Sequence, residues 1–465
     1  MAEELWSKSA GELARLIKSR EASSRDVIES HLARIEQVNP AINAVVEVLA
    51  DDARSAADAA DAATLRGDAT GPLHGVPFTV KINIDVTGSA SSEGTILLKD
   101  LIAPSDAPMV ERMRGAGGIV LGRTNMPDLG LRINTVSALY GATRNPFDRT
   151  RTVGGSSGGE AAAISSGMSP IGLGNDIGGS LRNPAYACGI ASIKPSFGRV
   201  PAGNETAPIA SPLASQIMLT QGVLARTVAD VVTGLKVVAG AHPRDPFAVD
   251  VAYHGSPAPK RVALVAEPSG GFTDPGVAEG VRRAGRALEA AGYEVEEIEP
   301  PLLEWSYLAW GLLVQELSSS QRPLLEMVIG EEGKRFIDLT SQGYDEPTIV
   351  SMAGVHQLRQ QIAQAWNAFS YDHPLIVGPT WTKPPFALGY DVESKETADD
   401  VMNLFRFVLP ANLLGLPAAC VPTGLANGLP VGAQIISRRM REDLCLEAAQ
   451  VVEDAYGLIT PVTPA

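Results

Sequence analysis

Residues 154–160 read Gly-Gly-Ser-Ser-Gly-Gly-Glu, four glycines around two adjacent serines. Such a backbone suits a phosphate cradle, an exposed nucleophile or a tight turn packed on a helix. A P-loop needs a lysine after its last glycine, and Glu160 occupies that region. A dinucleotide fingerprint needs a strand in front of it, and residues 145–153, "NPFDRTRTV", make a poor one. Residues 154–158 do match G-x-S-x-G, the nucleophile elbow. That chemistry calls for a late histidine, and none of the six histidines follows His373. His242, His254, His356 and His373, the four downstream of the motif, sit beside proline or glycine or on a polar helix face.

A second serine, Ser180, stands behind Gly178 and Gly179, 24 residues after Ser156. "GGEAAAIS" reads as a helix of eight or nine residues, about 13 Å long. Gly167 and Pro170 end it. "PIGLGND" reads as a strand of four or five residues, about 15 Å. The outward and return lengths nearly cancel, so Ser180 comes back beside Ser156. Two serines on facing glycine loops then need a base.

The elements that must position these loops alternate along the chain. Residues 1–70 read as helices: Leu13, Leu16 and Ile17 fall at helical spacing, as do Ile28, Leu32 and Ile35, and "DDARSAADAADAATLRG" is Ala-rich and closes at Gly67. "VPFTVKI" follows as a strand, with Val76, Phe78, Val80 and Ile82 on one face and Thr79, Lys81 and Asn83 on the other. "APMVERMRGAGGIVLGRTN" is a helix that stops at glycine and enters the buried strand "GIVLG". The Pro- and Gly-rich run from 239 to 260 reads as an exposed excursion. Strand "RVALVAE", a helix and strand over 276–299, a mostly helical stretch over 300–370, strands "PLIVGP", "AACVP" and "GAQIIS", and the closing helix "EDLCLEAAQVVEDAYG" complete the pattern. This alternation predicts one large α/β domain. Its parts are a helical segment 1–70, a core 71–240, a variable, mostly helical region 241–373, and a segment 374–465 that completes the sheet.

Composition narrows the function classes. The 465 residues carry a net charge of −15, which disfavours nucleic-acid and anionic-membrane partners. Three scattered cysteines, Cys188, Cys420 and Cys445, form no CxxC pair, which suits a reducing compartment and predicts neither disulfide nor metal site. The N-terminus has acids early and no continuous apolar run, and no stretch reaches the length of a membrane span. A cytoplasmic protein is expected.

"GPLHGVPFTVKIN", "GGSSGGE" and "GLGNDIGGSLRNPAYACGI", in this order and spacing, resemble the signature region of the amidase signature enzymes. The resemblance runs from "GELARLIKSREASSRDVIESHLARIEQVNPAINAV" to "ANLLGLPAACVPTGLANGLPVGAQII" and is densest over 71–203. It implies a single domain with a mixed, many-stranded β-sheet wrapped by helices, and no cofactor. Lys81, Ser156 and Ser180 match the family's catalytic lysine, its cis-configured serine and its nucleophilic serine. A serine hydroxyl needs a base to take its proton. Lysine is a base only when neutral, which burial and a lack of acid partners favour. Ser156 would relay the proton, and the N–H groups of Ile177, Gly178, Gly179 and Ser180 would form the oxyanion hole. Ser157 would hydrogen-bond within the relay or serve the backbone, while Asp176 and Arg182 would brace the glycine loops.

The chain departs from the family pattern at Ile82, where an acid is frequent, and at Asn175, where Ser or Thr is more usual. The loop "NMPDLGLRINTVSALYG" and the segment "AGNETAPIASPLASQIMLTQG" are less typical. The resemblance puts both near the substrate, and their apolar content points to a neutral or aromatic group. The expected partners are water and a small amide or carbamate, with ester cleavage reachable, for a monomer or homodimer. Two rivals stay open: a glutaminase subunit of a tRNA-dependent amidotransferase, from whose usual pattern "GRVPAGNETAPIASPLASQIML" departs, and a non-catalytic anion-binding protein. A nitrilase-type role for Cys188 lacks any neighbour that would activate a thiolate.

Overall fold

The computed structural model describes residues 4–68, 70–206 and 211–464; residues 207–210, part of the segment expected near the substrate, lie outside it. Eleven strands share one mixed sheet: β1 Val45–Val48, β2 Pro77–Lys81, β3 Ile119–Thr124, β4 Ile171–Asp176, β5 Ala191–Lys194, β6 Thr220–Ala225, β7 Arg261–Leu264, β8 Glu294–Glu297, β9 Leu375–Gly378, β10 Ala418–Ala426 and β11 Leu429–Ile436. Their order is β1-β3-β2-β4-β6-β5-β10-β11-β9-β7-β8. A separate two-stranded ribbon joins Val136–Ser137 to Gly141–Ala142. Helices cover both faces, so β2, β3, β4 and β5 are buried throughout. Two apolar cores result. Phe78, Val80, Ile171, Leu173 and Val223 belong to one, while Ala161, Ile164, Tyr186, Trp310 and Trp381 belong to the other.

One stretch differs from the helical reading of residues 1–70. Val45–Val48 is an edge strand, antiparallel to β3, between the helices Ser24–Ile42 and Ala50–Arg66. Val-Val-Glu-Val lacks the strict alternation that would declare a strand, and the partner that makes it one lies far along the chain. Among the described residues, no helix is long and apolar enough to cross a membrane.

The register of β2 and β4 sets the geometry that matters. The two strands are parallel, with Thr79 opposite Gly172 and Val80 opposite Leu173. Lys81, the last residue of β2, therefore ends at the same sheet edge as Asp176, the last residue of β4. Loops that leave the carboxyl ends of neighbouring parallel strands line a crevice, the usual site position in such sheets. Between β3 and β4 the chain runs through the helix Gly158–Ser165, whose residues are all buried. Alternate residues of β4 point their faces in opposite directions. Gly172 turns toward this helix, and a Cβ there would stand 1.8 Å from Glu160 Oε1.

The helix also sits against backbone at its start. Gly159 N donates to Asn125 O at 3.1 Å. A Cβ on Gly159 would lie 2.4 Å from Asn125 N and 2.5 Å from its carbonyl oxygen. Backbone on both sides cannot yield as a flexible side chain would. Gly159→Ala is expected to lose about 1–3 kcal/mol of stability, read as a lower urea midpoint with an unchanged slope; a wild-type midpoint would contradict this packing.

Candidate active site

Lys81 is fully buried, and its Nζ donates to Ser156 Oγ and to Asn175 Oδ1, both at 2.7 Å. Asn175 Nδ2 donates in turn to Asn83 Oδ1 at 3.1 Å. The unusual Asn175 thus offers the amine a carbonyl acceptor. The Gly155–Ser156 peptide is cis. Burial lowers the Lys81 amine to about 7, against the opposing pull of Glu93, Asp176 and Glu160. Acid influence is therefore not absent: three acids pull the amine toward its charged form, and desolvation outweighs them.

Glu160 is one of the groups that motif reasoning passed over. Its carboxylate accepts from the hydroxyls of Thr79 and, at 2.7 Å, Thr124. Burial raises it to about 7, opposed by those two hydrogen bonds and by Lys81 and Arg123. The signal in the sequence is an acid in a helix, "GGEAAAIS", that otherwise has no polar face.

The loop from Ile177 to Ser180 follows directly from β4. Each of its four carbonyls has a donor. Trp310 Nε1 donates to Ile177 O at 2.9 Å and Asn183 Nδ2 to Gly178 O at 3.0 Å. Asn183 N donates to Gly179 O at 2.6 Å and Ser157 N to Ser180 O at 3.2 Å. Among the described residues the N–H groups of Ile177, Gly178 and Ser180 have no hydrogen-bond partner, so three donors are free for an incoming oxygen. Gly179 departs from the expectation for the oxyanion hole. Its N–H donates to Asp176 Oδ1 at 2.8 Å.

Asp176 is held by an ion pair as well as by backbone. It accepts from Leu181 N at 3.0 Å, from Asn412 Nδ2 at 2.8 Å, and from Arg182 Nε and Nη2 at 3.1 and 3.0 Å. Burial alone would push this carboxyl up; the Arg182 guanidinium holds it below the usual carboxylate range instead. Arg182 also reaches Val408 O, Asn412 Oδ1 and the Gln434 side chain, which ties the loop to the far half of the sheet.

The structure brings the two serine loops together through the Ser157–Ser180 backbone bond. Ser157 Oγ also donates to Asn175 O at 3.4 Å. Ser180 is 5% exposed, and its hydroxyl makes no hydrogen bond among the described residues. Gly130, in the loop after β3, lies against the first serine, since a Cβ there would stand 3.2 Å from Ser156 Oγ. Its neighbours Leu129 and Leu131 pack on Leu325, Ile329 and Ile337 of the helical region. This places one expected substrate-side loop beside Ser156, with an apolar cluster against its leucines.

The competing chemistries find no support in these contacts. No histidine hydrogen-bonds Ser156 or Ser180 among the described residues. The Cys188 thiol is buried against Val153 O at 3.6 Å, and burial pushes it up, away from thiolate. One cluster, His254, Asp443 and Glu447, brings three ligand-type atoms within 4.8 Å. Asp443 there is already bonded by Arg441 at 2.8 and 2.9 Å, a poor arrangement for a cation. Trp310, Trp381 and Asn183 also escaped sequence reasoning. Each is an ordinary core residue until the loop it touches is known.

The family model described as Amidase matches residues 26–446. An indoleacetamide hydrolase from Bradyrhizobium diazoefficiens is 39% identical over 98% of this chain and 88% of its own length. A glutamyl-tRNA(Gln) amidotransferase subunit from Acidothermus cellulolyticus is 32% identical over 97% of this chain and 95% of its own. The solved structure of a 6-aminohexanoate cyclic dimer hydrolase complexed with substrate superposes with a TM-score of 0.86 at 29% identity, covering 99% of both chains. With its single large mixed sheet and these relatives, the chain belongs to the amidase signature family and is a hydrolase of carbon–nitrogen bonds other than peptide bonds.

Proposed function

We propose that the protein hydrolyses a small neutral or aromatic amide through an acyl-enzyme on Ser180, with Ser156 as proton relay and Lys81 as base. The observation that carries this reading is the 2.7 Å contact between the buried Lys81 amine and Ser156 Oγ. Ser180 Oγ attacks the carbonyl carbon as its proton passes to Ser156, whose own proton passes to the neutral Lys81 Nζ. The carbonyl π electrons move onto oxygen, which the free N–H groups of Ile177, Gly178 and Ser180 receive. The tetrahedral adduct collapses, the carbon–nitrogen bond breaks, and the amine leaves with the proton returned through Ser156. Water then attacks the acyl carbon and gives a proton to the same relay; the bond to Ser180 Oγ breaks, Ser180 takes the proton back, and the acid leaves.

The apolar cluster behind Gly130 supports an apolar acyl or amine group, as does the indoleacetamide hydrolase relative. Carbamates and esters are reachable by the same acyl transfer. The amidotransferase relative favours a second reading, a glutaminase that works within a larger assembly, which glutamine-dependent ammonia release with a co-purifying partner would support. We place the enzyme in the cytoplasm, acting on a small molecule and water as a monomer or homodimer, with no nucleic acid, membrane or cofactor. An anion-binding protein without catalysis has no use for a neutral lysine against a serine.

A serine-reactive fluorophosphonate followed by peptide mapping tests the assignment. Ser180 is expected to carry the label. Lys81→Ala should lower the labelling rate about 10²–10⁴-fold, the range for loss of a general base, and Ser156→Ala should weaken it. Label on Ser156 with Ser180 untouched would sink the assignment. A panel of anilides, primary amides (glutamine included), carbamates and esters then separates the substrate classes.

The pH profile offers an independent check. Lys81 must be neutral, so kcat/KM should climb as pH rises through about 7 and fall away below it. Three acids, Glu93, Asp176 and Glu160, favour the charged amine. Removing one lowers the amine's pKa, so Glu160→Gln should move the acid limb to lower pH. An acid limb that stays put or moves upward would contradict the coupling.

A further inference from the structure

Asn183 lies outside the proposed proton path, yet its carboxamide is fully buried between the two serine loops. Nδ2 donates to Gly178 O at 3.0 Å and to Gly155 O at 3.4 Å. Oδ1 accepts from Trp381 Nε1 at 2.9 Å. The indole N–H can only donate and the two backbone carbonyls can only accept, so this set of partners allows one orientation of the amide. Trp381 is itself immobilised: it is fully buried, stacked on Phe386 and tilted against Tyr186, with ring centroids 5.6 Å apart in each case.

The two carbonyls are not equivalent to any others in the site. Gly155 O belongs to the peptide that carries Ser156. Gly178 O belongs to the peptide whose N–H, on Gly179, is taken by Asp176. One amide group therefore grips the relay loop and the oxyanion loop at once. We infer that Asn183, oriented by Trp381, is a positioning residue that sets the spacing between the Ser156 loop and the free N–H groups of Ile177, Gly178 and Ser180. It touches neither substrate nor the transferred proton; it acts through the peptides it holds. Loss of the grip misaligns groups that must be aligned only when charge develops on the carbonyl oxygen. The rate of acylation should suffer and substrate binding should not.

This inference rests on the reading of Ser180 as nucleophile, and the test separates the two. The full-length protein, Asn183→Leu, Trp381→Phe and the double variant are treated with a fluorophosphonate. The labelling rate and the final labelled fraction at Ser180 are measured for each, and kcat and KM on phenylacetamide are measured beside them. Asn183→Leu keeps the approximate size of the side chain and loses both grips. Its labelling rate and its kcat per labelled site are expected to fall about 10- to 100-fold, the scale of a 1 Å misplacement, with KM nearly unchanged. Trp381→Phe keeps the aromatic packing and loses only the N–H. It should show a smaller fall in the same two quantities. The double variant should be no worse than Asn183→Leu, because Trp381 acts through Asn183.

A merely structural role would lower the labelled fraction and the melting temperature while leaving the rate per labelled site intact; that outcome overturns the inference. So does an additive double variant. If Asn183→Leu does not fold, Trp381→Phe decides alone: a wild-type rate per labelled site in that variant overturns the inference. Wild-type protein labelled at a residue other than Ser180 overturns the nucleophile reading and this inference with it, whereas Ser180 labelling at wild-type rates in both single variants overturns the role of Asn183 only.

Discussion

An ammonium enclosed on all sides loses its hydration, and at Lys81 that loss brings the amine down to about 7 against the pull of three acids, Glu93, Asp176 and Glu160. Everything around the site serves this balance. β2 must be central so that no water reaches its end. The helix Gly158–Ser165 must lie close enough to close the space above it, and Gly159 and Gly172 permit that approach. Glu160 enters with the helix and is buried too, and Thr79 and Thr124 hold its carboxyl. A lysine on a peripheral strand would keep its water and its charge.

The second demand is on the backbone. Four consecutive carbonyls, from Ile177 to Ser180, are turned to fixed donors, and in a trans peptide the N–H points opposite its C=O. Holding the carbonyls of Ile177 and Gly179 therefore aims the N–H groups of Gly178 and Ser180. Trp310 comes from the helix Leu303–Ser320, Ser157 from the first serine loop and Asn183 from the start of the helix Arg182–Cys188. The loop is thus fixed by parts of the chain more than a hundred residues apart, and the ion pair of Asp176 with Arg182 anchors its root. Breaking such a buried pair from one side leaves an uncompensated charge, so the anchor and the loop stand or fall together.

The helical region between residues 300 and 373 packs against the serine loops. Besides Trp310, it supplies Leu325, Ile329 and Ile337 against Leu129 and Leu131, next to Gly130 and Ser156. The chain ahead of it carries β7 and β8, which extend the sheet.

By itself the sequence determined the α/β class, the strand that carries Lys81 and the out-and-back path from Ser156 to Ser180; that the strand stops at Lys81 was seen only in the structure. These are local matters. Alternation on "VPFTVKI", the helix breakers Gly167 and Pro170, and the near equality of a short helix and a short strand are written in consecutive residues. The glycine motifs also made the family resemblance specific. Tertiary structure alone decided which backbone groups are free. Gly179 looks like an oxyanion donor in the motif, and only the position of the Asp176 carboxylate removes it. Val45–Val48 becomes a strand only because β3 lies beside it. Glu160, Asn183, Trp310 and Trp381 have no motif, because their roles come from distances between segments far apart in the chain. Burial, hydrogen-bond satisfaction and the pKa of a lysine are properties of an enclosure, and an enclosure exists only once the sheet and its helices have closed.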